Sequence, residues 1–307
     1  MIANFFNKTQ PVIIVNLLLL FAIFYFVSVF YFHQVVISLV SLSSVFTIFL
    51  AFVFMLLVIN FILRKNKLTE DNSYTLLIII LLLGSFYETM YIKNIFFSNL
   101  VLLLAFRKIY SLNSGFNTKK KLFDAAFWIG VSTILYAWSI LFLVLIYLGV
   151  FIYGKLSFKN LLVPVIGFLT PILIFFTFHF YFDSLYVFYE VFQFDFSLNF
   201  VAYNALKFLI PISLIITLLL WSIVSLAPKV VLTSNNFKMA WQVILNHLII
   251  SLIIVLFSPI KNGSELFFLI LPTAIIITNF LQRAASATFK NMILYLLLVV
   301  SVGVYFL

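Results

Sequence analysis

Long apolar runs and short polar breaks alternate along this chain from beginning to end. A helix needs about 20 apolar residues to cross the hydrocarbon core of a bilayer, and most of the runs approach that length. The pattern therefore predicts an all-α, polytopic transmembrane helical bundle. The runs that fit single segments cover residues 12–32, 35–63, 74–92, 95–106, 160–182, 208–227, 241–258, 266–281 and 290–307.

The run 122–154 is far longer than one span requires. A break near Tyr136–Ser139 turns it into a hairpin, which gives about 11 membrane segments, with short or re-entrant helices at 95–106 and 122–154. Lysine and arginine concentrate in cytoplasmic loops. The hairpin puts all of the 18 Lys and Arg on one face except Lys93, Lys207 and Lys261, whereas a single helix mixes the two faces. We therefore predict the hairpin and a cytoplasmic N-terminus.

Composition supports lipid as the main solvent of the surface. Hydrophobic residues make up 65% of the chain and charged residues 8%, against about 25% charged in soluble proteins. We expect one transmembrane domain over 1–307, without a soluble domain. We further expect a multi-pass protein of the cytoplasmic (inner) membrane of a bacterium. The net charge of +10 lies in short turns between apolar runs. This placement indicates a bilayer partner rather than nucleic acid.

Five of the eight acidic residues fall on the predicted outer face. Of these, Glu88 lies near the membrane boundary together with the basic residue Lys93. An ionisable side chain at that depth is costly unless it is paired or faces a cavity, so a functional role is the first hypothesis. An internal ion pair is the alternative. The other acids on this face are Asp183, Glu190, Asp195 and Glu265.

Histidines offer a second candidate site. His179 and Asp183 are four residues apart, which places them on one face of a helix and suits a general base or a ligand. The ordinary alternative is an interfacial histidine that is hydrogen-bonded to a neighbour. His247, inside a span, predicts an interhelical hydrogen bond. The sequence has no HExxH motif and no histidine cluster, so we predict no metal site, and the cofactor stays open.

The outer loop from Asp183 to Lys207 mixes aromatic and polar residues. This pattern predicts an amphipathic helix at the interface, with Phe188 and Phe192 on one face.

Residues 251–283 resemble the late region of C-type membrane glycosyltransferases. The resemblance is carried by Lys261 in a short turn, Phe267–Phe268 and Leu271–Pro272. It implies an enzyme that takes a sugar from a polyprenyl-phosphate donor at the outer face, with Lys261 contacting the donor phosphate. The family places its catalytic carboxylate in a long first outer loop, and here that loop is only His33–Gln34. The resemblance therefore makes Glu88 the nearest replacement.

Three functions follow from these observations. The first is a transferase with Glu88 as base and with Lys93 and Lys261 as phosphate contacts, beside His179 and Asp183 as further binding residues. The second is a non-enzymatic subunit or scaffold of a cell-envelope complex, which implies partner membrane subunits. The third is a transporter. The chain also looks like uncharacterised multi-pass inner-membrane families, a likeness that implies no activity.

Overall fold

The computed structural model describes residues 2–259 and 261–307, and these residues are overwhelmingly helical. Eight of the helical segments are long and apolar enough to cross a membrane, which confirms a multi-pass membrane protein. The α-helices are α1 Ile2–Phe5, α2 Pro11–Val27, α3 Leu39–Asn66, α4 Tyr74–Ser85, α5 Lys93–Tyr110, α6 Thr118–Leu135, α7 Phe142–Ile152, α8 Phe158–Tyr181, α9 Leu185–Val191, α10 Leu206–Val231, α11 Asn235–Phe257, α12 Phe267–Gln282 and α13 Ala287–Gly303.

The predicted membrane segments correspond to α2–α8 and α10–α13, but two lengths differ from those that the apolar runs indicate. The segment 95–106 is part of the longer α5, because the helix continues through polar residues at both ends, whose side chains can extend toward the interface. The segment 74–92 is shorter than predicted, since α4 ends at Ser85 and a 3₁₀ turn, Tyr87–Met90, follows. Of these two segments, the short helix is therefore α4 and not α5.

The hairpin in 122–154 is confirmed. Helix α6 ends at Leu135, and α7 begins at Phe142 after a 3₁₀ turn. Tyr136 at the break has extended backbone, with φ −155° and ψ 107°. Its hydroxyl hydrogen-bonds to the Ser258 hydroxyl, so the polar end of this side chain is satisfied where the helix stops.

Serine side chains fix the starts of four long helices. At α8, α11 and α13 the N-cap residues are Ser157, Ser234 and Ser286, and each hydroxyl accepts a hydrogen bond from the backbone N–H three residues later. At α3, Ser38 does the same within a reciprocal pair with Ser41. This cap starts α3 at Leu39 rather than at residue 35, and it lengthens the preceding loop to 33–38.

The helices form two compact units. Unit 1 comprises residues 2–92, 199–232 and 261–307. In its interior lies α4, all of whose residues are buried, and α4 packs against α2, α12 and α13. Helix α12 is also buried along nearly its whole length and packs against α10. A helix that is hydrophobic on every side belongs in such an interior position. The prediction of a single transmembrane domain stays a prediction.

Unit 2 comprises residues 93–198 and 233–259 and contains a close contact between α6 and α8. A Cβ on Gly130 would lie 2.6 Å from Pro171 Cγ and 2.8 Å from the Phe168 carbonyl oxygen. A Cβ on Gly167 would lie 2.6 Å from the Phe123 carbonyl oxygen. Both helices therefore use a glycine to bring their backbones together, as small residues do in membrane helix pairs.

We expect Gly130→Ala and Gly167→Ala each to destabilise the protein by about 1–3 kcal/mol, because the added methyl group must displace backbone atoms. Thermal unfolding in detergent, followed by circular dichroism, measures the effect. The matched control is Gly303→Ala in α13, where a Cβ meets no atom within 4 Å. This change should be neutral or slightly stabilising, since alanine favours the helix over glycine. Equal midpoints for all three variants would contradict the close contact.

The contacts in unit 1 also test the direction of its helices. The Lys207 ammonium lies 3.0 Å from the Glu88 carboxylate, and the Lys229 ammonium lies 3.2 Å from the Arg283 carbonyl oxygen. A single helix over 122–154 would send Lys207 and Glu88 to opposite faces of the membrane. Their contact agrees with the alternation that the hairpin predicts.

Single cysteines can assign the faces, since the protein has no native cysteine. Ser114 and Gln193 are exposed residues at the turns on either side of the helices of unit 2. In intact cells we expect Cys at Ser114 to be protected from a membrane-impermeant maleimide and Cys at Gln193 to be labelled, because the predicted orientation places the basic turns in the cytoplasm. Permeabilised cells give the control for reactivity. The opposite labelling pattern would invert the predicted orientation.

Candidate functional site

Four short segments meet at the end of unit 1 that carries Glu88, and we call them the turn cluster. The 3₁₀ turn with Glu88 packs against both the π-helical turn that ends α2 and the turn that precedes α12. The Ser28 hydroxyl donates a hydrogen bond to the Tyr87 carbonyl oxygen at 3.1 Å, which joins two of the segments. The segments of the turn cluster are 28–34, 86–92, 199–207 and 261–266.

Glu88 lies between two basic groups in the turn cluster. Lys207 donates from its ammonium to Glu88 Oε1 at 3.0 Å and to the Tyr87 hydroxyl at 3.1 Å. His33 Nε2 lies 3.6 Å from Glu88 Oε2, too far for a hydrogen bond. The three side chains keep between 16% and 31% of their surface exposed. The carboxylate is therefore held in place yet still reachable by a ligand.

Aromatic rings hold both basic side chains. The Lys207 ammonium lies 5.2 Å from the centroid of the Tyr87 ring and 5.0 Å from that of Phe208, which is cation–π range. The His33 ring stacks on Tyr91, with centroids 4.1 Å apart and planes 10° from parallel. These contacts limit the rotamers of Lys207 and His33. The charges around Glu88 are consequently arranged before any ligand binds.

Burial lowers the pKa of His33 below its usual value. The carboxylate of Glu88 acts in the opposite direction, and the ammonium of Lys207 lowers the pKa further. Because the usual value is already near 6.5, the imidazole is largely neutral at pH 7. A neutral imidazole can accept a proton, so His33 adds basic capacity beside Glu88.

A second carboxylate, Glu265, is fully buried in the turn cluster. It accepts hydrogen bonds from the Tyr203 hydroxyl and, at 3.0 Å, from the Gly263 backbone N–H. Gly263 has φ +94°, and a Cβ there would clash with Cε1 of the Phe208 ring. Only glycine fits this position. Glu265 thereby fixes the shape of the turn that carries Lys261.

Lys261 lies beside this buried carboxylate. Its ammonium is 5.0 Å from the centroid of the Phe200 ring. Burial lowers the pKa of Lys261, and the charge of Glu265 partly offsets that shift. An ammonium group held between an aromatic ring and a partly desolvated turn is suited to contact an anionic group.

Two of the three predicted transferase residues belong to turns that pack together. Glu88 and Lys261 lie in the contacting segments 86–92 and 261–266 of unit 1. Lys93 begins α5 and belongs to unit 2, so its proposed role stays a prediction. Sequence reasoning did not identify Lys207 and His33 as the partners of Glu88. The charge distribution could have indicated Lys207, since it placed this residue on the same predicted face as Glu88.

The predicted helical pair of His179 and Asp183 is wrong as to geometry. Helix α8 ends at Tyr181, and Asp183 follows in a left-handed conformation with φ +50°. His179 Nδ1 instead hydrogen-bonds to the Ser184 hydroxyl at 2.8 Å. Because the helix ends before it reaches Asp183, the two residues do not share a helix face. The interpretation as a histidine bonded to a neighbour fits this arrangement.

The part of the loop 183–207 that belongs to unit 2 contains the predicted short helix. Helix α9 carries Phe188, whose ring lies 4.8 Å from that of Phe192 by centroid and also contacts Phe175 and Phe176 of α8. The next part of the loop has no regular secondary structure, and Trp138 Nε1 donates to the Asp195 carbonyl oxygen at 3.1 Å. The loop is thus tied to its own unit along its length.

His247 has the role expected of a histidine inside a span. Its Nδ1 lies 2.8 Å from the Tyr110 hydroxyl, which joins α11 to α5. The ring packs against Phe106 and Phe142, with centroids 4.2 Å and 5.4 Å away. This environment is that of a structural core histidine.

Comparison with known proteins gives a family but no activity. A family profile matches residues 5–307, which is nearly the whole chain. The chain belongs to DUF6427, a family of unknown function. No curated protein and no solved structure matches this family member. The profile includes the region 251–283, and the description of the family names no glycosyltransferase.

We expect a measurable interaction between Glu88 and Lys207 in a double-mutant cycle with Glu88→Gln and Lys207→Met. A partly buried, charge-assisted hydrogen bond should give a coupling of about 1–2 kcal/mol in the free energy of unfolding. Titration of SDS into mixed micelles measures it.

The Arg64–Asp71 pair supplies the matched control, because its atoms are 3.3 Å apart but its side chains are 49% and 78% exposed. Its coupling, from Arg64→Met and Asp71→Asn, should stay below about 0.5 kcal/mol. Equal coupling energies for the two pairs would show that partial burial does not strengthen the Glu88–Lys207 ion pair.

Proposed function

We propose that this DUF6427 protein is a membrane glycosyltransferase-like enzyme that acts on a lipid-linked sugar at the turn cluster. The observation that supports the proposal is the position of Glu88, a partly exposed carboxylate held between Lys207 and His33. Catalytic sites combine ionisable groups of opposite charge in this way. The resemblance of residues 251–283 to C-type glycosyltransferases gives the substrate class.

The donor would be a sugar joined to a polyprenyl phosphate. The Lys207 and Lys261 ammonium groups would bind the phosphate oxygens, since both lie in the turn cluster and both are held by aromatic rings. The polyprenyl chain would remain in the lipid beside unit 1. The turn cluster would face the outer surface of the cytoplasmic membrane, as the positions of the basic loops predict.

Transfer would break the bond between the sugar C1 and the phosphate oxygen and form a bond from C1 to an acceptor hydroxyl oxygen. Glu88, assisted by the neutral His33 ring, would accept the proton of that hydroxyl. The leaving polyprenyl phosphate would take the bonding electron pair, and the two ammonium groups would stabilise its charge. Every group in this scheme belongs to unit 1.

A non-enzymatic role as a subunit of a cell-envelope complex is favoured by one specific observation. Glu88 is already paired with Lys207 within the same unit, so its charge needs no ligand. In that case the pair would serve to join the segments 86–92 and 199–207. The two functions predict different results for a substitution that removes the charge of Glu88 and keeps its shape.

The proposed enzyme can be tested with purified protein in nanodiscs. The assay measures release of polyprenyl phosphate from a radiolabelled polyprenyl-phosphate sugar, with membrane extract as the source of acceptor. We expect Glu88→Gln to lower the rate by roughly 100-fold or more, which is the usual contribution of a general base. Lys261→Gln should mainly raise the KM for the donor, because it removes a contact to the phosphate.

The matched control is Glu190→Gln, the same chemical change at an exposed carboxylate of α9. This variant should keep the wild-type rate, and all variants should keep the wild-type thermal unfolding midpoint to within a few degrees. If the wild-type protein neither binds polyprenyl phosphate nor releases it, the enzyme proposal fails and the subunit role is preferred.

A further inference from the structure

Unit 2 has a strongly basic end that the proposed chemistry does not use. We call residues 107–121 and 155–159 the basic turn surface, and neither segment contains an acidic residue. The nearest carboxylate, Asp124, lies 2.6 Å from the Lys108 ammonium and is therefore occupied by one cation. The basic side chains are Arg107, Lys108, Lys119, Lys120, Lys121, Lys155 and Lys159.

The two segments of the basic turn surface converge on one turn. Lys121 donates from its ammonium to the Ser111 carbonyl oxygen at 2.6 Å and to the Ser114 hydroxyl at 2.7 Å. The Lys155 ammonium lies 2.9 Å from the place that a Cβ on Gly115 would occupy. Charges from two different parts of the chain are thus concentrated at the turn 111–115.

Large apolar side chains project from the same surface. Phe116 is 73% exposed, Leu156 57% and Phe158 77%. They alternate along the chain with exposed lysines such as Lys119 and Lys159. A surface that combines exposed aromatic and aliphatic groups with ammonium groups matches the boundary between lipid head groups and acyl chains. A polyanion dissolved in water would bind the ammonium groups and leave these apolar side chains exposed.

The basic end of unit 1 differs in its charge balance. There Arg64 lies 3.3 Å from the Asp71 carboxylate, and Glu70 is adjacent in sequence. The Lys229 ammonium is directed to the Arg283 carbonyl oxygen. Positive charge at that end is partly balanced by acidic residues of the same turn, whereas the sequence of the basic turn surface contains no Asp or Glu.

We propose that the basic turn surface binds the head groups of anionic phospholipids, in preference to zwitterionic ones. Lysines near an anionic bilayer surface each contribute to binding, by about fivefold per residue. Phe116 and Phe158 insert at the acyl boundary and keep the lysines at the level of the phosphates. The proposal is independent of any transferase activity.

Native mass spectrometry of the full-length protein in neutral detergent tests this. Phosphatidylglycerol and phosphatidylcholine are titrated separately, and the apparent dissociation constant of each is measured. We expect the wild-type protein to bind phosphatidylglycerol at least tenfold more tightly. Lys119→Gln, Lys120→Gln, Lys155→Gln and Lys159→Gln combined should remove that preference, and added salt should weaken it in the wild type.

The matched control replaces four lysines of unit 1 with glutamine: Lys8, Lys65, Lys67 and Lys290. This control should retain most of the preference for phosphatidylglycerol. If the fourfold change in unit 2 prevents folding, the pair Lys119→Gln and Lys120→Gln, which alters only exposed side chains, should still weaken phosphatidylglycerol binding about tenfold or more. Equal affinity of the wild type for both lipids would overturn the proposal. An equal loss in the unit 1 control would also overturn it, because the effect would then reflect net charge alone.

Discussion

The structure depends on one constraint, which is that backbone N–H and C=O groups in a bilayer must be satisfied inside the protein. Continuous helices meet it along the apolar runs, and serine caps meet it where four of the helices begin. Irregular backbone is confined to the ends of helices, where neighbouring segments can supply partners. Tyr136 shows the arrangement at the hairpin, since its backbone N–H donates to the Ser132 carbonyl oxygen at 2.9 Å and its carbonyl oxygen accepts from the Ser139 N–H at 3.0 Å.

The same constraint explains why the candidate site lies where it does. Helix α4 stops at Ser85, and the chain needs several more residues before α5 begins at Lys93. Those residues form a compact turn that places Glu88 within reach of Lys207, whereas a longer α4 would have carried this carboxylate along a helix surface. The buried Glu265 gives the neighbouring turn its shape in the same way, through Tyr203 and Gly263. Charged side chains here organise irregular backbone, and the Glu88 carboxylate stays partly exposed.

Much of the fold follows from the sequence because lipid imposes a simple pattern. The hairpin at 122–154 and the alternating direction of the helices could be predicted from the length of the apolar runs and from the positions of Lys and Arg. The ends of the helices could not be predicted in this way, because capping and tertiary packing decide them. Helix α3 begins later than the apolar run, and α8 ends before Asp183. The contact between Glu88 and Lys207 could not be predicted from the sequence either. The positions of the charged residues place Lys207 on the same face as Glu88. Their contact depends on tertiary packing, because the two residues are 119 positions apart in the chain.

Helix α4 has a consequence for how the protein is made. Its twelve residues span about 18 Å, well short of a hydrocarbon core of about 30 Å, and every one of them is buried by other parts of unit 1. One of its main neighbours, α12, begins roughly 180 residues later in the chain. At about 5–20 residues per second, synthesis needs about 10–40 s to cover that interval. During this time the nascent chain holds an apolar helix that is shorter than the hydrocarbon core and that has not yet met one of its main packing partners.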